Sequence, residues 1–169
     1  SDLVLDLRYN GGGFLAISSQ LAYMIAGPNN TSNQVYYRTV FNDKYPNTDP
    51  FTGEQIQSYP FIDTGVGFSV PQSTSLPSLN LNRVFVLTTD SSCSASEALI
   101  NGLQGIGVDV IQIGGKTCGK PYGFRGTDNC GTTYFTVQFK GVNRNGFGDY
   151  ADGFYPSNSS DIGSVSVPG

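Results

Sequence analysis

Arg83-Val84-Phe85-Val86-Leu87-Thr88-Thr89, then Ser94-Ala95-Ser96-Glu97-Ala98-Leu99-Ile100-Asn101-Gly102-Leu103-Gln104-Gly105, then Val108-Asp109-Val110-Ile111-Gln112-Ile113, is the stretch that decides the fold. Its first and last segments are short apolar runs that read as buried strands. The middle segment opens with Ser94-x-x-Glu97, a capping-box pattern, and continues as a helix. Strand, helix and strand at this spacing make a βαβ unit with parallel strands. The fold class is therefore α/β.

Working outward, Asp2 to Arg8 alternates and is rich in Leu and Val, as in a core strand. Asn10-Gly11-Gly12-Gly13 breaks it. Phe14 to Ala26 then places Phe14, Leu15, Ile17, Leu21, Met24 and Ile25 at helical spacing, and Gly27-Pro28 ends that helix. Gln34 to Phe41 is a strand with Val35, Tyr37, Thr39 and Phe41 on one face. Asn42 to Leu81 is polar and carries five prolines, at 46, 50, 60, 71 and 77. It reads as a long excursion with one or two short strands, and such a stretch in a compact domain usually serves as a lid or binding wall, or else is mobile. Thr132 to Phe139 alternates as one strand, and from Asn143 the chain is loop and short strand.

The 169 residues suit a single domain, 1–169, with 38% apolar residues to fill a core. Only 13% are charged and the net charge is −4, which argues against nucleic acid and anionic membrane surfaces as partners. No apolar run reaches the roughly 18 residues needed to span a bilayer. The abrupt start in a core strand suggests a piece whose N-terminal part was removed or left out. Of the three cysteines, Cys118 and Cys130 flank a Gly/Pro-rich loop, and a bridge closing it would add about 3 kcal/mol. The alternative is three reduced thiols. No CxxC pair is present, so no structural zinc is expected. Low Lys content, many Asn, Ser, Thr and Tyr, and that bridge lean towards an exported protein, periplasmic or extracellular.

The chain has no histidine. A nucleophilic serine would need another base, and a lysine that loses its proton can serve. Ser94 stands at a strand-to-helix turn, where a hydroxyl projects from the fold and the N–H of Ala95 is free to hold an oxyanion. Ser91 and Ser96 compete with it, and the bland alternative is a simple helix cap. Gly11-Gly12-Gly13 fits neither GxGxxG nor GxxxxGK[ST]. It reads as a tight turn needing positive φ, or as a second oxyanion donor. Lys120 follows the third strand and is the candidate base, with Lys116 its rival and Arg125 a cation that could lower its pKa.

Asp6-Leu7-Arg8-Tyr9-Asn10-Gly11-Gly12-Gly13, Ser92-Cys93-Ser94-Ala95-Ser96-Glu97 and Thr117-Cys118-Gly119-Lys120 together resemble the C-terminal processing (tail-specific) peptidase family. The tricorn core and retinoid-binding carrier modules are more distant relatives. The resemblance runs from residue 2 to about 125. It implies a ClpP/crotonase-like core with a mixed, largely parallel sheet and flanking helices. It implies a serine endopeptidase that cleaves proteins near hydrophobic C-termini through a Ser–Lys dyad and an acyl-enzyme, with no metal or cofactor. By position Ser94 matches the nucleophile and Lys120 the general base, with Ala95 and Gly12 or Gly13 at the oxyanion hole. The segment from Gly148 to Pro156 resembles the family's closing segment. The chain departs from the pattern where a glutamine usually follows the lysine by one turn: Phe124 stands there, and Gln138 or Tyr122 would have to substitute. No PDZ-like region is visible. The alternative function is a catalytically silent binding or scaffold module on the same fold. A calcium site from Asn143, Asn145, Asp149 and Asp152 lacks the spacing of an EF-hand loop.

Overall fold

The computed structural model describes residues 2–67 and 69–156. In chain order the elements are β1 (Val4–Asp6), α1 (Leu15–Thr31), β2 (Val35–Val40), β3 (Ser58–Pro60), β4 (Arg83–Thr88), α2 (Ala95–Gly105), β5 (Asp109–Gly114), β6 (Tyr122–Gly123), β7 (Thr127–Asn129), β8 (Thr132–Tyr134) and β9 (Phe139–Val142). The expected α/β class, a parallel sheet with flanking helices, is the one the chain adopts. β1, β4 and β5 form that sheet in the order β1-β4-β5, with Val4 beside Phe85 and Phe85 beside Ile111.

Apolar side chains from both faces of the β4–α2–β5 unit fill the core. Val84, Val86, Ile100 and Leu103 are wholly buried and pack with Ala22, Ile25 and Ala26 of α1. Helix α1 leaves helical geometry at Gly27, as expected, but Pro28 then opens one further turn to Thr31. Proline suits such a first position because its missing N–H would be unpaired there anyway.

A second sheet, antiparallel and ordered β3-β2-β9-β6, packs on α2 and was not visible in the sequence. Its anchor is Tyr36 of β2, which is 1% exposed and stacks edge-on against Phe61. Gly102 makes room for it: a Cβ there would come within 2.4 Å of the Tyr36 ring. Tyr36 thus faces the core, while Tyr37 and Thr39, on the other face of β2, look into a cleft.

One expectation needs correction. Thr132 to Phe139 is not one strand: β8 closes a small hairpin with β7, and β9 belongs to the antiparallel sheet. Residues 132–137 are exposed, so no buried face holds the alternation in a single register. The Asn42–Leu81 excursion, by contrast, is as expected: its described residues form one short strand, β3, and isolated bridges. Expectations beyond Pro156 lie outside the described residues.

Candidate active site

The turn from β4 into α2 is sharp. Ser94 holds φ 56° and ψ −109°, a conformation an L-residue keeps only when its surroundings fix it. The surroundings are specific. The Ser92 hydroxyl donates to Leu7 O at 2.8 Å, and the Cys93 N–H donates to Asn10 O at 3.1 Å. The Ser96 hydroxyl donates towards Asn10 O at 3.0 Å, with Asn10 Oδ1 at 3.1 Å. Ser96 lines a different cleft, with Phe14 and Leu99, whereas Ser94 lines the one that Lys120 also lines.

Glu97 was read from the sequence as a helix cap, and it does accept the Ser94 N–H at 2.9 Å through Oε2. It does much more. The side chain is wholly buried. Oε2 also accepts the Lys120 N–H at 2.8 Å, and Oε1 accepts the Gly119 N–H at 2.7 Å and the Thr117 hydroxyl at 2.6 Å. One carboxylate thus joins the serine turn to the lysine segment, and one of its oxygens brings the two amide nitrogens within about 6 Å of each other. A buried carboxylate needs such donors, because unpaired it would cost several kcal/mol, of order 3 or more. The sequence offered one clue, a Glu at the third helical position facing the core. It gave no sign of Thr117 and Gly119 as partners.

The glycine turn sits against the serine. A Cβ on Gly12, where φ is +122°, would stand 2.8 Å from Ser94 Cβ and 3.3 Å from Cys93 O and Ser94 Oγ, so only glycine fits there. The Gly12 N–H donates to Asn10 Oδ1 at 2.9 Å. Of the two glycines singled out, Gly12 is therefore committed internally. Among the described residues no hydrogen bond takes the N–H of Gly13 or of Ala95.

A cleft of about 370 Å³ is lined by Gly13, Ser94, Ala95, Lys120, Tyr37 and Phe124, among others. Burial pushes the Tyr37 hydroxyl up to about 12, so it stays protonated at neutral pH. The structure thus brings Ser94, Ala95, Gly13 and Lys120 to one cleft. Lys120 itself is exposed, and its ammonium stands 5.5 Å from the centre of the Phe124 ring. Among the described residues no hydrogen bond joins that ammonium to the Ser94 hydroxyl.

The other candidates lie elsewhere. Lys116 reaches the Tyr155 hydroxyl at 3.4 Å. Arg125 pairs with Asp49 at 2.6 Å and stacks on Phe51. Gln138 accepts the Arg125 N–H at 2.8 Å. Asn143 is buried, with its amide on Asn101 and its oxygen taking the N–H groups of Asn145 and Phe147. Among the described residues no group of His, Cys, Asp or Glu could hold a metal ion, and no helix is long and apolar enough to cross a membrane.

The cysteine expectation is overturned. Cys118 is bridged to Cys93, and Cys130 is free and exposed near the turn between β7 and β8. The reason is the backbone: the Cys118 N–H donates to Ser92 O at 3.1 Å, which sets Cys118 against the serine turn with its Cα 5.3 Å from that of Cys93.

A serine on a strained strand-to-helix turn thus stands on an α/β core beside a glycine turn and a lysine. The chain belongs to peptidase family S41, whose family model matches residues 1–138. It is 30% identical to a protein of Bacteroides fragilis NCTC 9343 assigned to the S41 proteases, with a TM-score of 0.72 over 93% of this chain and 37% of that one. Two more distant structures share the fold. The photosystem II D1 C-terminal processing protease is 20% identical, with a TM-score of 0.61 over 95% of this chain and 34% of that one. A lipoprotein from Streptococcus agalactiae is 17% identical, with a TM-score of 0.55 over 86% and 45%. The chain therefore spans less than half the length of each of these structures. No curated protein matches it.

Proposed function

We propose that the protein of which this chain is the catalytic domain is an exported serine endopeptidase working through Ser94 and Lys120. The observation that carries this reading is the single Glu97 oxygen that accepts the N–H of both residues, at 2.9 and 2.8 Å. This chain holds no histidine to compete for the role of base.

In this reading the neutral Lys120 amine takes the Ser94 proton as Oγ attacks a peptide carbonyl. The developing oxyanion accepts from the N–H groups of Ala95 and Gly13, held in place before the reaction begins. The protonated lysine then gives its proton to the leaving amine, and water releases the acyl group by the same steps in reverse order. The substrate is a polypeptide, cut near an apolar C-terminus in keeping with the motifs. The Cys93–Cys118 disulfide supports export, because such bonds persist in oxidising compartments.

The test is cleavage of a fluorogenic casein or peptide library by the full-length protein. Ser94→Ala and Lys120→Ala are each expected to abolish it, and activity retained by Lys120→Ala removes the dyad. A second reading, a silent binding module, draws on the placement of the Lys120 ammonium over Phe124. It predicts that even the unaltered protein forms no covalent adduct with a fluorophosphonate at Ser94.

A further inference from the structure

Most ties between the serine turn and the lysine segment are hydrogen bonds, but one is covalent. Cys93 directly precedes Ser94, Cys118 lies two residues before Lys120, and the two are bridged. Both cysteines are half-buried. Ser92 and Thr117, each next to one of the two cysteines, are wholly buried, while Ser94 is half-buried and Lys120 exposed. The bridge therefore fastens the two segments that carry the reacting groups to each other.

We propose that the Cys93–Cys118 disulfide is a positioning element of the Ser94–Lys120 pair, so that the peptidase is fast when oxidised and slowed by thiol reductants; this rests on the peptidase reading above. Ser94 sits in a backbone conformation that its surroundings must impose. Lys120 is exposed and leads through the buried Pro121 to the sheet-edge strand β6. With the bridge cut, the two remain joined through the buried Glu97 and the Ser92–Cys118 backbone bond, hydrogen bonds without a covalent tie. The chemistry balances. Two equivalents of a monothiol supply two electrons and two protons, the S–S bond breaks, Cys93 and Cys118 become thiols, and the reductant leaves as its disulfide. Oxidised glutathione reverses the exchange.

The experiment follows fluorophosphonate labelling of Ser94 in the full-length protein, oxidised and after dithiothreitol, with far-UV circular dichroism on the same samples. Reduction is expected to slow labelling about tenfold or more with the dichroism unchanged, since an ångström of misplacement costs up to about 10²-fold. Reoxidation restores the rate. Cys130→Ser, which removes the exposed free thiol, responds to reduction like the unaltered protein. The Cys93→Ala/Cys118→Ala double variant is slow and insensitive to dithiothreitol. An unchanged rate in the reduced, folded protein overturns the proposal. Unfolding on reduction also overturns it, because the bridge then supports the fold rather than the site. If the oxidised protein does not label at all, the peptidase reading itself fails and takes the proposal with it.

Discussion

The two sides of the cleft are built by different means. The serine side grows from the interior: β1 and β4 are neighbours in the parallel sheet, and the turn after each is pinned to the other through Asn10, Ser92 and Ser96. The lysine side grows from an edge. β6, which follows Lys120, pairs with β9 alone, and the β7–β8 hairpin beyond it is exposed. The core fixes Ser94, the proposed nucleophile. Lys120, the proposed base, depends on ties that cross from one side to the other, chiefly Glu97 and the Cys93–Cys118 bridge.

The largest effect expected from breaking this arrangement falls on chemistry. Ser94→Ala or Lys120→Ala should lower kcat/KM about a thousandfold or more in the full-length protein, with no change in the urea midpoint. Next is the shared tie. Glu97→Ala leaves three N–H groups and a hydroxyl without their acceptor, and should cost about 3 kcal/mol in chemical denaturation. An unchanged midpoint would mean the two sides do not depend on Glu97. Gly12→Ala forces a Cβ against Ser94 and should cost roughly 10- to 100-fold in activity, whereas Gly11→Ala, with nothing within 4 Å, should leave the rate as it is. On the lysine side, Phe124→Ala removes the ring under the ammonium and should change activity about two- to fivefold, the worth of about 0.5–1 kcal/mol.

The smallest effect belongs to the strand end. Hydrogen bonds from the Arg8 guanidinium and N–H hold the Asp6 carboxyl down at about 2. Its stabilisation is present above the ordinary carboxylate range and is lost as pH falls through about 2. Because the pair is exposed, the effect is slight. The gap in urea midpoint between the unaltered protein and Asp6→Asn should narrow from pH 5 to pH 2.

What could be read from the sequence follows the same division. The βαβ unit, the glycine turn and the turn that carries Ser94 were legible because buried strands and a helix cap leave local patterns. The antiparallel sheet was not. β6 and β9 are short, their pairing is long-range, and the exposed residues 132–137 imitate a single strand. The Cys93–Cys118 bridge was missed because sequence distance favoured Cys130, while the contact that decides it, Cys118 N–H to Ser92 O, spans the fold. Glu97 showed its capping role because that partner is three residues away, and hid the rest because Thr117, Gly119 and Lys120 are more than twenty positions further on or nearly so.

The most direct measurement is a crystal structure of the full-length protein carrying a fluorophosphonate adduct on Ser94. The account predicts Lys120 Nζ at roughly 2.6–3.2 Å from Ser94 Oγ, with the phosphonyl oxygen accepting from the N–H groups of Ala95 and Gly13. An adduct on Ser94 with the ammonium still over Phe124 and the oxygen turned to solvent would contradict it.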